Sequence, residues 1–452
     1  QSWIEQFNFN KKQKFRMKSI KKFAFGIIAV AALGLTSCDP DPCYGVTCPE
    51  GYACEDGTCV EVNPTIDNEV VSGLISADVT WKADRIYELA GKVVVSNGAT
   101  LTIEPGAIIK GRTGTGTLAS ALIIARGAKI NACGTADKPI IFTSVLDNIK
   151  LGEKAGTNLT ELDREKWGGL LILGNAPTST GDGDKVGQIE GIPADEPYGI
   201  YGGDNATDNS GTLCYVSIRH GGALIGEGNE INGLTLGGVG SGTTIHHIEV
   251  VSNLDDGIEC FGGTVNIDHV IVAYQGDDAL DIDQNYSGTI TNFYIIHGGD
   301  TDEGMEIDGP EGSTYTTGKF KFIKGTVRSN DGKGSAADLK SKAQGTIENV
   351  AFVGYTTFAK VSASFNTDCT DKKDAYLNAI GGDLVVKGCE FVAATDMYRV
   401  YSSSACLPTD YQANLVNAWA ANGNTKPAAA TKGADVTAFK SWSWTDIKGL
   451  IK

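Results

Sequence analysis

From about residue 64 onward the chain alternates short apolar runs with Gly, Asn and Asp, and shows no amphipathic helical period until its C-terminus. Apolar runs recur at 92–95, 101–103, 107–109, 121–124, 139–142 and 170–173. Runs this short, punctuated by turn formers, predict strands. In the middle of the chain the pattern becomes a measurable repeat. Gly233-Leu-Thr-Leu, Gly257-Ile-Glu-Cys, Ala279-Leu-Asp-Ile and Gly304-Met-Glu-Ile follow one another at offsets of 24, 22 and 25 residues. Ile245-His-His-Ile, Ile267-Asp-His-Val and Ile290-Thr-Asn-Phe follow at 22 and 23, and Ile347-Glu-Asn-Val recurs later. A unit of this length cannot bury its apolar face alone, so it must stack on its neighbours. The expected fold is all-β, a parallel β-helix solenoid over 64–395. Residues 396–452 read as C-terminal loops and a cap, because an open solenoid end exposes unpaired strand edges. The column His247, His269, Asn292 and Asn349 falls at a turn. It reads as a polar ladder along the stack, the rival being a metal-binding or catalytic His pair.

The first 63 residues follow no such pattern. Met17 is the plausible start, which sets 1–16 aside as a segment upstream of the native chain. Lys18, Lys21 and Lys22 precede an apolar run from Phe23 to Leu35, and Thr36-Ser37-Cys38 follows. This is a signal peptide over 17–37, with an apolar run too short to span a bilayer. Leu35-Thr36-Ser37-Cys38 resembles the lipobox of bacterial lipoproteins, which implies lipidation of Cys38 and anchoring to a membrane. Asp39 and Asp41 resemble the acidic tracts that send some lipoproteins outward. The expected location is the outer membrane, at the cell surface or facing the periplasm.

Removing the leader sharpens the charge. The whole chain carries −17 and residues 1–37 carry +6, which leaves −23 for the exported part. Such acidity excludes a nucleic-acid partner, which needs a basic stripe. Without Cys38, ten Cys remain of the 11, and export permits disulfides. Cys43, Cys48, Cys54 and Cys59 crowd into 17 residues of a module spanning 38–63. They read as a two-disulfide knot with three open connectivities, a four-Cys zinc site being the rival. Their spacing resembles a truncated EGF-like module, which implies Cys43–Cys54 and Cys48–Cys59. The pairing of Cys133, Cys214, Cys260, Cys369, Cys389 and Cys406 stays open. Cys369, Cys389 and Cys406 are candidates for stapling the C-terminal end.

Residues 98–111, GATLTIEPGAIIKG, and 122–144, LIIARGAKINACGTADKPIIFTS, resemble the N-terminal coils of right-handed parallel β-helix proteins of the pectate-lyase-like superfamily. Trp167-Gly-Gly-Leu-Leu-Ile-Leu-Gly continues the style, and the resemblance covers most of 64–395. It implies a right-handed coil.

Function is concentrated in 253–308, which holds thirteen Asp/Glu and no Lys or Arg. The repeat puts these acids in register. Asp255, Asp277 and Asp302 share one column, and Asp256, Asp278 and Glu303 the next. Glu259, Asp281 and Glu306 form a third, and Asp283 and Asp308 begin a fourth. Coils stack about 4.8 Å apart, and two carboxylates at that spacing repel by about 3 kcal/mol at an effective dielectric of 20. A bound cation, raised pKa values or outward solvation must offset this. Oxygen-rich clusters suit Ca²⁺. The candidate ligands are Asp256, Glu259, Asp278, Asp281, Asp283, Asp302, Glu303, Glu306 and Asp308. Strand alternation puts Glu259, Asp281, Asp283, Glu306 and Asp308 on the face opposite the apolar core, so this face is expected to be outward. The resulting reading is a Ca²⁺-binding face that takes a glycan or a protein partner. A structural, adhesin-like surface rod is one alternative.

An enzyme on the same face is the other alternative. Asn253-Leu-Asp-Asp-Gly-Ile-Glu and Gly276-Asp-Asp-Ala-Leu resemble two motifs of polygalacturonase-type β-helix hydrolases. The resemblance implies Asp278 as the acid, with Asp255 and Asp277 as bases. The family's Gly-His-Gly survives only as the shifted His297-Gly-Gly, and its Arg-x-Lys clamp is missing from the acidic region. Directly stacked carboxylates on adjacent coils also sit closer than the roughly 6.5–9.5 Å that inversion needs, a separation that only diagonal pairs would reach. A polysaccharide lyase would pair Ca²⁺ with a basic residue, for which Lys340 and Lys342 are placed after Asp338.

Overall fold

The computed structural model describes residues 43, 46–49, 52–55, 57–61 and 68–452, apart from 182–184, 191, 194–195, 226–229 and 313–314. The upstream segment 1–16, the signal peptide 17–37 and Cys38 lie outside the described residues. The chain divides into two compact units, 1–64 and 65–452.

In the first unit Tyr52–Glu55 and Thr58–Glu61 form an antiparallel hairpin with Cys54 opposite Cys59. Disulfides join Cys43 to Cys54 and Cys48 to Cys59, the pairing that the EGF-like spacing implies.

The second unit is a parallel β-helix whose described residues form one continuous ladder of twenty-five strands. Three rows of strands recur in each coil. One row includes Leu170–Leu173, Leu234–Gly237, Ile258–Phe261, Leu280–Asp283 and Met305–Ile307. The other two are the two halves of long bent strands such as Thr244–Val251, Asn266–Ala273 and Thr289–His297. Inward side chains stack in columns, for example Ile172, Leu236, Cys260, Ile282, Ile307 and Leu339, all fully buried. Each such side chain contributes about 1.5–3 kcal/mol.

The repeated Gly has a steric cause. A Cβ on Gly233, Gly257 or Gly304 would lie 2.3, 2.3 or 2.4 Å from the Cγ1 of Val250, Val272 or Val327, respectively. Real side chains never approach so closely.

The His column is a corner. Tyr215, His247, His269, Asn292, Lys324 and Asn349 have φ between 49° and 60°, the left-handed bend that splits each long strand into two rows. Tyr215 stacks on His247 at 4.3 Å, and His247 on His269 at 4.4 Å with planes 7° apart. Within one coil His247 Nδ1 also meets His246 Nδ1 at 2.9 Å. Burial first, then His269 and His246, pulls the His247 pKa down to about 4, so this ring stays neutral at ordinary pH.

The coils run past the boundary expected at 395, since Tyr398–Tyr401 pairs in register with Thr357–Ser362. The helix Tyr411–Ala418 follows, and its Leu415, with Trp419 just beyond, joins the core at that end. Residues 431–452 then return along the outside of the coils. Asn292 holds Asp435 by its backbone N–H and carbonyl, and Phe439, Trp442 and Trp444 pack on Val251, Ile271, Ala273 and Ile296.

The even Cys count does not translate into complete pairing. Cys133–Cys214 ties neighbouring strands and Cys369–Cys406 ties two C-terminal loops, whereas Cys260 and Cys389 are buried thiols. Cys260 serves as an apolar member of its core column, and Cys389 does not join the expected staple.

Candidate metal centre

The expected acidic columns exist, and hydrogen bonds fix their register. Asp256 Oδ1 accepts from the N–H of Asp278 at 2.9 Å, and Asp278 Oδ1 accepts from the N–H of Glu303 at 2.6 Å. One strand face carries Glu259 beside Asp281 and Asp281 beside Glu306. Phe261 stands beside Asp283.

The face does point away from the core, but it is not open to solvent. Asp256, Glu259, Asp278, Asp281 and Glu303 are all buried. Part of the cover is a long excursion between Leu170–Leu173 and Gly211–Arg219. Its antiparallel pair, Val186–Gln188 and Ile200–Gly202, brings Tyr201 against Phe261, with the Tyr201 hydroxyl donating to Gln284 at 2.9 Å. Ile189, Ile192 and Ile231 complete an outer apolar cluster over the same row. The face is outward as expected, and solvation is not what offsets its repulsion. A non-repeating insertion roofs it.

Among the described residues three groups of carboxylates converge, each with one oxygen per residue within 4.8 Å of the others. They are Asp255/Asp256/Asp277, Asp256/Glu259/Asp281 and Asp278/Glu303/Glu306. Among the described residues Asp283, Asp302 and Asp308 enter no such group, and Asp302 is exposed. The strip is also asymmetric. At its C-terminal end Lys340 contacts Glu306, and Lys360 contacts Glu303 and reaches Asp338 at 2.9 Å. Among the described residues, no Lys or Arg pairs with Asp256, Glu259, Asp278 or Asp281.

Electrostatics follow from that asymmetry. Burial, then Asp255, pushes Asp256 well above the usual carboxylate range. Burial, then Asp256, does the same to Glu259, and burial, then Asp283, to Asp281. Burial, then Asp256 and Glu306, raises Asp278 to about 11. Burial, then Glu190 and Asp277, raises Asp255 to about 7. Burial raises Asp308 only to about 6 because Lys340 opposes it. Asp281 and Asp308 each keep a buried oxygen, Oδ1, without a hydrogen-bond donor.

For the polygalacturonase-like assignment, the two implied bases, Asp255 and Asp277, do come together, with oxygens within 4.8 Å of each other. The implied acid is less well placed. Asp278 is only 4% exposed and is engaged by Glu303. Lys340 is no better placed as a lyase base. Burial would lower its pKa, but Glu306, Asp308 and Asp281 outweigh burial and raise it, so the ammonium keeps its proton.

Three participants escaped the sequence. Asn232 donates to Glu259, and its Oδ1 is buried without a partner. It stands one residue before Gly233, as Asp256 stands before Gly257, so the register could have found it. Lys360 lies two coils beyond Glu306, at Asp338's partner position. Glu190 belongs to the excursion, where no period predicts position.

A family model described as "Pectate-lyase like beta helix domain" matches residues 73–445. No curated protein matches the chain. Among solved structures, tailspike protein 2 of the Escherichia coli O157:H7 bacteriophage CAB120 is similar at 10% identity and a TM-score of 0.18, over 70% of this chain and 34% of the tailspike. The chain thus spans about a third of that protein.

Proposed function

The chain belongs to the pectate-lyase-like β-helix domain family, and from that premise we propose an exported, lipid-anchored β-helix whose acidic strip binds Ca²⁺ and whose same face takes a glycan. The carrying observation is the Asp256/Glu259/Asp281 group, three buried carboxylates converging with one Asp281 oxygen left without a donor. Two ligands of one Ca²⁺ lie at most about 5 Å apart, given bond lengths of about 2.3–2.6 Å. The group fits inside that span. Asn232 Oδ1 is a further buried oxygen beside Glu259. The lysine-compensated end around Glu303 and Glu306 has no comparable need of a cation. A sugar chain suits the roofed strip better than a protein, because a standard protein interface occupies about 800 Å² per partner.

Thermal melting of the full chain tests the metal. Ca²⁺ at about 1 mM should raise the midpoint by several degrees over EDTA, since a ligand of the folded state alone stabilises it by mass action. No shift would overturn the reading.

The anchor rests on Leu35-Thr36-Ser37-Cys38. In a Gram-negative host the chain should fractionate with the outer membrane, and Cys38→Ser should release it to the soluble fraction. Unchanged partition of the variant would remove the anchor.

A further inference from the structure

Beside the acidic strip, toward the C-terminus, lies a cavity of about 440 Å³. It sits where the outer face changes sign. Along the stack one outward column runs Glu259, Asp281, Glu306, Asp338, Lys360 and Arg399. Four lysines, Lys340, Lys342, Lys372 and Lys373, line the cavity in a chain whose net charge is −17. Lys340 is engaged by Glu306. The ammonium groups of Lys342, Lys372 and Lys373 have no ion-pair partner among the described residues. Two acids, Glu311 and Asp374, also line the cavity. Asp374 is already occupied: Oδ1 accepts the N–H groups of Lys342 and Ala375, and Oδ2 accepts the Ser364 hydroxyl. Positive charge is in excess.

A second observation is independent of charge. Ser362 is 8% exposed, lines the cavity, and its buried hydroxyl has no hydrogen-bond partner. Ser402, Ser403 and Tyr401 add hydroxyls to the same lining. The wall is held in place covalently. Lys372 sits on the hairpin Ser364–Phe365/Asp371–Lys372, and the Cys369–Cys406 disulfide ties that hairpin's loop to the segment following Ser402 and Ser403.

No Arg lines this cavity among the described residues, so its cations are ammonium point charges that impose no planar, two-pronged contact. Ammonium groups and hydroxyls arriving from several directions match an anion with three terminal oxygens. We propose that the cavity binds the sulfate or phosphate ester group of a saccharide. The inference rests on the reading that this face takes a glycan, and it does not require Ca²⁺.

Calorimetric titration of the full chain with glucose 6-sulfate, glucose 6-phosphate, glucuronate and glucose tests it, each with Ca²⁺ and with EDTA. One ester should saturate, and the tighter of the two identifies the source. Glucuronate should bind about tenfold more weakly, and glucose should not saturate up to about 10 mM. Lys372→Ala/Lys373→Ala changes two exposed side chains, so the fold should persist, and ester binding should weaken by about tenfold or more. Failure of both esters to saturate, equal affinity for glucuronate, or wild-type affinity in the double variant would each overturn the proposal. If the esters fail while Ca²⁺ still raises the melting midpoint, the cavity is excluded and the metal reading stands.

Discussion

Glu249→Ala should destabilise the β-helix by about 3–5 kcal/mol and release the C-terminal segment, the cost expected when one partner of a buried ion pair is removed. Glu249 and Arg219 are both fully buried, with Arg219 Nε 3.9 Å from the Glu249 carboxylate. The same carboxylate accepts the N–H of Trp444 at 2.9 Å, the N–H of Thr445 at 2.8 Å and the Thr445 hydroxyl at 2.8 Å. Ser217 bridges the pair: its hydroxyl donates to Glu249 and accepts from Arg219 Nε at 2.7 Å. Both terminal nitrogens of Arg219 already lack hydrogen-bond partners, so deleting Glu249 leaves a fully buried guanidinium with only the weaker influence of Asp147 to balance it. It also removes the acceptor of the N–H groups at the start of the turn that carries Trp444. Solenoids unfold with weak long-range cooperativity, so the loss should appear first in 431–452. Hydrogen exchange and limited proteolysis of that segment are the direct readouts. Glu348→Ala breaks a half-exposed pair with Lys387 at 3.0 Å and should cost no more than about 1 kcal/mol. Equal behaviour of the two variants would refute the buried-pair account.

The same segment shows where sequence reasoning stops. The coil period and the acidic register were legible because stacking is a translation: residues at equal offsets meet, whether they are Gly233 and Gly257 or Asp281 and Glu306. The column did not end at Glu306, however. Asp338, Lys360 and Arg399 continue it, but the matching Ala336-Ala-Asp-Leu follows Gly304-Met-Glu-Ile at 32 residues instead of 22–25, so the fixed offset that would have carried the register onward is broken. The compensation of the acids by lysine was lost with it. The roof over the strip was illegible for a different reason. Residues 174–210 leave the coil, and an excursion has no neighbour at a fixed offset. The docking of 431–452 did leave a trace. Val250-Val251, Ile271-Val-Ala and Ile295-Ile296 are apolar on both faces of their strands, which alternation does not explain unless both faces are covered.

Without Ca²⁺, the chain should lose stability as pH rises from about 5 to 8, and saturating Ca²⁺ should cancel or reverse that slope. The sign follows from proton binding. Burial and like charge raise Asp255 to about 7 and Asp278 to about 11, and lift Asp256, Glu259 and Asp281 well above the carboxylate range. The folded chain therefore holds protons that the unfolded chain releases near pH 4. This contribution is fully present below about pH 4 and is lost as pH rises through each folded pKa, the Asp255 step falling near 7. Ca²⁺ binds the ionised oxygens and competes with those protons, so its stabilisation should be larger at pH 8 than at pH 5. At a hundredfold excess over the dissociation constant it amounts to about 2.7 kcal/mol. Asp281→Asn separates the two effects in one residue. It replaces a carboxyl whose charged form burial and Asp283 disfavour with a neutral amide of the same shape, so the variant in EDTA should be at least as stable as wild type at pH 8. It also removes a ligand charge, so the Ca²⁺ concentration needed for half-maximal stabilisation should rise by about tenfold or more, equivalent to about 1.4 kcal/mol. Chemical denaturation at pH 5 and pH 8, with EDTA and with Ca²⁺, measures all four corners. A Ca²⁺ effect independent of pH, or an Asp281→Asn variant with wild-type Ca²⁺ affinity, would place the cation somewhere other than the buried group and leave like-charge repulsion there to be relieved by protons alone.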